Sequence, residues 1–411
     1  MVGTMANHRR AESHEQLQPL VDLCKAGRLF DVQKWIEKGG PLYPPAAPNN
    51  RSRKKSPLEY AIDIGFHSLV EVLLQAGASM ERDGTFCPME LALSKRRLDL
   101  VQLLVDHGFD AASANMESVF ATWDPEIMEY FIQRGADVES EMPLAWALCH
   151  RTRTALGIFK KHREQFASFQ EQANVALRHH CRNGNMKWVS LLIWAGADPL
   201  APGEAEPGRE TDPDDEGLSA LGFAALYGHV KVFSLKKVVL PVDHPAVRQL
   251  VGYICNGEGL PLVEKLLNKG LDPNDQENGG CSVIQSIVAG LEWYRRRDYF
   301  SSHLVDYGGD SEEAREKMKA IHLLAKHGGR WKPAERYELN AARRSLLKMN
   351  PDYTVEFAWI MERFGACEKP DIEALINTAA MKRHLGKRMD RLREVLSLWR
   401  EKDGDRQEHS A

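Results

Sequence analysis

Arginine and aromatic side chains crowd together between Glu292 and Arg315, where Trp293, Tyr294, Arg295, Arg296, Arg297, Tyr299 and Phe300 share one short run. Such residues bury large area at low entropic cost and carry several directed donors, so their chemistry is that of a contact surface. They could equally extend a helix and pack on the next one. A second cluster, Arg51, Arg53, Lys54 and Lys55, follows a proline-rich stretch that begins at Pro41. It offers charge to an acidic partner or a phosphate, or simply forms a solvated loop.

Groups that make and break bonds are not organised in this way. The sequence contains no G-x-x-x-x-G-K-[ST], H-E-x-x-H or G-x-S-x-G, and so shows no phosphate loop, zinc helix or nucleophile elbow. His179-His180-Cys181 has ligand chemistry, but neighbours on a helix point ~100° apart and do not readily share one ion. Asp212-Pro213-Asp214-Asp215-Glu216 lacks the alternating spacing and distant glutamate of a calcium loop. Gly257-Glu258-Gly259 runs into Leu260-Pro261-Leu262 with no strand before it and reads as a turn. The expectation is a chain that is not an enzyme and takes no cofactor and no metal.

What positions these residues is a repeat. Pro19-Leu20 leads to Cys24, Gly27, Val32, Trp35-Ile36 and Gly39; at the same offsets Pro57-Leu58 leads to Ile62, Gly65, Val70, Leu73-Leu74 and Gly77. A proline at the first turn of a helix costs nothing. The spacing predicts a short helix carrying Leu58, Ala61 and Ile62. It ends at Gly65, and a second helix returns with Leu69, Val70, Leu73 and Leu74 and closes at Gly77. Two short helices cannot bury their apolar faces alone, so neighbouring pairs must stack.

These residues resemble an ankyrin repeat. Ser56-Pro57-Leu58-Glu59-Tyr60-Ala61 stands for the T-P-L-H-x-A element, and Leu73-Leu74-Gln75-Ala76-Gly77-Ala78 for L-L-x-x-G-A. Cys87-Pro88-Met89-Glu90-Leu91-Ala92 and Met142-Pro143-Leu144-Ala145-Trp146-Ala147 repeat the opening. Leu191 to Pro199 and Leu266 to Asn274 repeat the close. The resemblance implies an all-α, ankyrin-like α-solenoid of roughly ten helix-turn-helix units of roughly 33 residues, over residues 17–367. Most units lack the T-P-L-H histidine; His229 stands in the turn, where the family commonly places one. The fifth unit has Arg163 in place of the closing glycine, and the seventh reads Lys236 to Pro241 there, so hairpin geometry at those units is expected to depart from the family pattern.

The expected organisation is a polar segment (1–16), repeats (17–200) and an acidic loop rich in Pro and Gly (201–217). Further repeats (218–367) carry an insertion at 292–315, before capping helices (368–400) and a flexible tail (401–411). The acidic loop holds Glu204, Glu206, Glu210, Asp212, Asp214, Asp215 and Glu216, a composition that cannot bury a core. From Asp371 to Trp399 an amphipathic pattern recurs through Ile372, Leu375, Ile376, Leu385, Leu392 and Trp399. Its polar positions are basic: Lys382, Arg383, Lys387, Arg388, Arg391 and Arg393. That fits a terminal cap with a polar outer face; nucleic acid or membrane binding is the alternative.

Across 411 residues the formal net charge is −4, which gives no global pull towards nucleic acid or anionic lipid. No apolar run approaches the ~20 residues of a membrane span, and Met1 to Gln16 lacks the apolar core of a secretory signal. Cytosolic residence is the expectation. Seven cysteines are too irregularly spaced for a disulfide framework. Cys24, Cys181 and Cys255 occupy the repeat slot that elsewhere holds Ile62, Leu93 and Ala225, so they are expected to be small core residues. Resemblance to the ankyrin family implies binding of another protein through hairpin tips and first helices. The alternatives are an effector that grips a phosphate or nucleotide, and a dedicated inhibitor or antidote.

Overall fold

A computed structural model describes residues 10–45, 55–80, 87–208, 217–254, 257–274, 283–289, 312–333 and 336–408. In chain order the α-helices begin with α1 (His14–Lys25), α2 (Leu29–Glu37), α3 (Pro57–Ile64), α4 (His67–Gln75), α5 (Pro88–Ser94) and α6 (Leu98–Asp106). Then come α7 (Met116–Phe120), α8 (Pro125–Gln133), α9 (Pro143–Cys149), α10 (Arg153–His162), α11 (Ser168–Arg182), α12 (Met186–Ala195), α13 (Ala220–Leu226) and α14 (Pro245–Ile254). The last are α15 (Leu260–Asn268), α16 (Val283–Ala289), α17 (Glu312–Lys326), α18 (Arg336–Leu347), α19 (Pro351–Phe364), α20 (Lys369–Ile376), α21 (Ala379–Leu385) and α22 (Met389–Glu408). No strand occurs among the described residues beyond two isolated bridges, Arg10 with Tyr43 and Pro202 with Ser219. The fold is an all-α, ankyrin-like solenoid of stacked helix-turn-helix units.

The chain divides into two compact units. One is Met1–Ala176 with Trp194–Ala197 and Glu206–Glu210; the other is Leu177–Ile193 with Asp198–Ala205 and Thr211–Ala411. In the first unit, helices α1, α3, α5, α7 and α9 pack in succession as one layer. Each pairs with the helix that follows it, and α2, α4 and α6 touch in turn, as do α8 and α10. In the second unit α14, α16, α18 and α20 form one layer, while α17, α19 and α22 line the other.

The apolar stripes read from the sequence are the core of this packing. Leu58, Ala61 and Ile62 of α3 and Leu69, Val70, Leu73 and Leu74 of α4 are all buried. Pro57, Pro88 and Pro143 each stand at the first turn of their helix. Ser56 caps α3 by accepting from the Glu59 N–H, and the Glu59 carboxylate accepts from the Ser56 N–H in return. A glutamate in the T-P-L-H histidine slot thus closes a capping box.

Pro19 departs from the expectation, because it lies inside α1 rather than at its first turn. The reason is a cap one turn earlier. Ser13 Oγ accepts from the Gln16 N–H, and the Gln16 side chain accepts from the Glu12 N–H, so the helix starts before the proline. The seventh unit also departs from the pattern: its second helix is a single 3-10 segment, Val230–Ser234. At the fifth, Arg163 is right-handed with φ −59°. Gly257–Gly259 is the turn between α14 and α15, and a Cβ on Gly259 would fall 2.0 Å from the Ile254 carbonyl oxygen.

Two of the three cysteines in the repeat slot are described, and both are sealed in the core. Burial pushes the Cys24 thiol up to about 12 and raises Cys181 as well. Cys255 lies outside the described residues. Over the C-terminal stretch Ile372, Leu375, Ile376, Leu385, Leu392 and Trp399 are buried, while Lys382, Arg383, Lys387, Arg388, Arg391 and Arg393 are exposed.

Candidate partner-binding surface

Most of the basic and aromatic residues singled out in the sequence, Arg51, Arg53, Lys54, Trp293, Tyr294, Arg295, Arg296, Arg297 and Tyr299, lie outside the described residues. Lys55 is described, and it pairs with Asp63. Lys95 reaches the same carboxylate at 2.9 Å. The hydrogen bond from Lys55, with help from Lys95, holds Asp63 below the usual carboxylate range. Asp63, near the end of α3, therefore joins the entry of α3 at Lys55 to the end of α5 at Lys95.

The turns between paired helices make a surface that single motifs do not reveal. From α1 to α13, the turn after the first helix of each pair carries one residue in the left-handed region. In the first unit these residues are Gly27, Gly65, Arg96, Trp123 and Arg151, and in the second Gly184 and Gly228. Arg96, Trp123 and Arg151 stand at φ 54°, 60° and 66°. Left-handed backbone brings Cβ against the following carbonyl and costs ~1–2 kcal/mol for a residue other than glycine. All three side chains are exposed, Trp123 to 52%.

At two places the residue after the left-handed position ties consecutive turns together. Arg97 donates from Nη1 to the Gly65 carbonyl at 3.1 Å, and from Nε and Nη2 to Asp99. In the second unit His229 Nε2 lies 3.2 Å from the Arg182 carbonyl. Its ring fills the space above Gly184, where a Cβ would come within 2.5 Å. A structural place for His229 was legible in the sequence; one for Arg97 was not.

Further aromatic groups line the flanks of the stacks. In the first unit Lys25 Nζ sits 4.6 Å from the centre of the Tyr60 ring, Trp146 stacks on His150, and Lys160 Nζ lies 3.7 Å over Trp194, itself 55% exposed. In the second unit an open groove of about 930 Å³ runs along α15 and α17. Glu258, Glu264, Glu312, Glu316, Lys319 and His322 line it. Lys319 pairs with Glu316 at 2.7 Å, and the His322 ring lies parallel to Trp359. Just before α22, Arg388 pairs with Asp352 at 3.2 Å, and on α22 Arg391 approaches the same carboxylate at 4.0 Å.

Two buried polar side chains escaped the sequence reading, because their partners are distant in the chain. The Gln172 carbonyl oxygen accepts from the N–H groups of Leu144 and Ala145 at 2.9 and 3.2 Å, and its amide donates to the Val138 carbonyl at 2.8 Å. It supplies the cap that Met142 cannot give α9. Arg178 is fully buried and donates to the carbonyls of Glu204, Ala201 and Pro202 at 2.6, 3.1 and 3.3 Å. Within the expected loop 201–217, residues 201–205 are therefore packed, and Ala205 is buried.

Cys181 parts from the two histidines, whose rings meet edge to face at 5.2 Å. His180 stacks on Trp188, His179 faces Asn183, and Cys181 enters the core. No helix among the described residues is long and apolar enough to cross a membrane.

No family model matches the chain, and no curated protein does. Among solved structures it is similar to the human ASB11 ankyrin repeat domain, at 19% identity and TM-score 0.36, over 57% of this chain and 96% of that one. It is also similar to the ankyrin repeat domain of Bcl-3, described as a unique member of the IkappaB protein family, at 18% identity and TM-score 0.28, over 65% of this chain and 92% of that one. A third similarity is to an ankyrin repeat domain from Acinetobacter baumannii AYE, at 17% identity and TM-score 0.28, over 53% of this chain and 95% of that one.

Proposed function

We propose that this chain is a protein-interaction scaffold, whose stacked helix pairs serve to hold turns and exposed helix faces in fixed register for a partner protein. The observation that carries this reading is the exposure of large aromatics on a framework whose own core is filled. Trp123 and Trp194 in the first unit and Tyr337 in the second expose 52%, 55% and 60% of their surface. Tryptophan and tyrosine in such settings are the groups that dominate protein interfaces, because they bury much area with few rotors to freeze. The basic and aromatic residues at Arg51 to Lys55 and Trp293 to Tyr299 extend the same reading as further contact candidates.

The test is capture of partners from host lysate by wild-type chain and by a Trp194→Ala, Tyr337→Ala variant, with circular dichroism as the folding control. The scaffold reading expects a defined set of captured proteins that is depleted in the variant at unchanged helicity. A thermal-shift panel of nucleotides and metal ions runs beside it. A ligand at 100 times its Kd adds about 2.7 kcal/mol to the folded state, so a clear shift with a nucleotide would replace this reading by a ligand-binding one.

A further inference from the structure

The left-handed residue of the turn is glycine at Gly27, Gly65, Gly184 and Gly228, and something else at three consecutive turns: Arg96, Trp123 and Arg151. Residues other than glycine that visit this region are enriched in Asn, Asp and His, whose short polar side chains suit it; a bulky one is an outlier. Here the three are arginine, tryptophan and arginine. They stand in sequence order on the turns that follow α5, α7 and α9, and those three helices pack side by side. Adjacent helices lie ~8–10 Å apart, so the three side chains form a row along one edge of the first unit.

Nothing among the described residues explains the three. Among the described residues, neither the Arg96 nor the Arg151 guanidinium has a hydrogen-bond or ion-pair partner, nor does the Trp123 indole N–H. All three side chains are exposed. Their neighbours are basic or already engaged. Arg153 is exposed, Lys95 and Arg97 are paired with Asp63 and Asp99, and the Asp124 carboxylate is used as the cap of α8. Backbone strain kept at an exposed site points to a use for the side chain.

We propose that the Arg96, Trp123, Arg151 row docks an acidic polypeptide segment of a partner, with an apolar side chain of that segment on the Trp123 ring and carboxylates on the two guanidinium groups. Arginine recognises carboxylate in a bidentate fork, and a tryptophan between two such forks sets the register. The proposal rests on the scaffold reading and adds to it the chemistry of the partner.

The experiment uses the full chain and fluorescence anisotropy with a labelled peptide rich in Glu and Leu. A Lys and Leu peptide and a DNA duplex serve as comparison probes. The test variant is Arg96→Gly, Trp123→Gly, Arg151→Gly. Glycine is the residue these turns favour, so the variant is expected to unfold at a temperature several degrees higher and to bind the acidic peptide at least about 10-fold more weakly. A second variant, Arg96→Gln and Arg151→Gln, keeps Trp123 and should lose most of the salt dependence of binding. Equal binding by wild type and the glycine variant overturns the proposal. So does a wild-type chain that ignores the acidic peptide, or one that prefers the duplex or the basic peptide. If host proteins are still captured by the glycine variant but lost on Trp194→Ala, Tyr337→Ala, this row fails while the scaffold reading stands.

Discussion

Arg97 donates from Nη1 to the backbone carbonyl of Gly65 at 3.1 Å, which fastens the turn of one helix pair to the turn before it. Gly65 itself stands at φ +71°, and a Cβ there would lie 2.9 Å from that same nitrogen. Gly65→Ala is expected to cost ~1–2 kcal/mol through its left-handed backbone, and Arg97→Ala about 1 kcal/mol through the lost hydrogen bond. Because they disturb one contact, the double variant should fall short of their sum. Urea denaturation of the two single variants and the double variant measures the difference.

Gln172 is expected to be among the costliest polar residues to replace. Gln172→Leu leaves the Leu144 and Ala145 N–H groups and the Val138 carbonyl without their partner in a dry site, at ~1–3 kcal/mol for each group left unmet. Gln172→Glu should also destabilise, since a carboxylate cannot donate to Val138. Faster amide exchange at Leu144 and Ala145 would appear first, because those N–H groups begin α9.

Arg178 is expected to control the chain beyond α12. Its three carbonyl partners all fall within 201–204, so Arg178→Met should release that segment while the neighbouring helices persist. Limited proteolysis would then cut the variant near residues 201–208 under conditions in which the wild-type chain resists.

Thiol reactivity separates buried cysteines from the rest. Cys24 and Cys149 are pushed up to about 12 by burial, and Cys367 is raised by the same cause. Only the thiolate reacts, so these three and Cys181 should label with a disulfide reagent no faster than the protein opens. Among the described cysteines Cys87, half-buried at the start of α5, should label first.

Much of the fold was legible because local chemistry marks it. Proline at Pro57, Pro88 and Pro143 signs the start of a helix, and the stripe Leu69, Val70, Leu73, Leu74 signs its buried face. The parts that were not legible depend on partners far along the chain, or on conformations with no residue signature. Gln172 bonds to Val138 across 34 residues of sequence. Arg96, Trp123 and Arg151 take a glycine conformation without being glycine. Pro19 misleads because Ser13 and Gln16 cap the helix one turn earlier. Of the contact residues read from the sequence, only Lys55 lies among the described residues, and its charge is shared with Asp63.

Acid should loosen the first unit through Glu129. Burial opposes ionisation there, but Lys161 and His162, at 2.9 and 3.0 Å, outweigh it and hold the carboxyl below its ordinary value. A carboxyl lowered in the folded state stabilises fully above its unfolded value of ~4.3 and loses that contribution as pH falls through the folded value. Glu129→Gln should therefore flatten the fall in melting temperature below about pH 4.5, a change that calorimetry across that range would resolve.

Hydrogen exchange of the chain, alone and bound to a protein it captures from its host, bears on the scaffold reading most directly. Added protection should fall on the exposed faces around Trp194 and Tyr337 or at the turns around residues 95–97, 122–124 and 150–152, with the core of α3 to α10 unchanged. A complex that protects none of these surfaces, or a host extract that yields no complex at all, would contradict it.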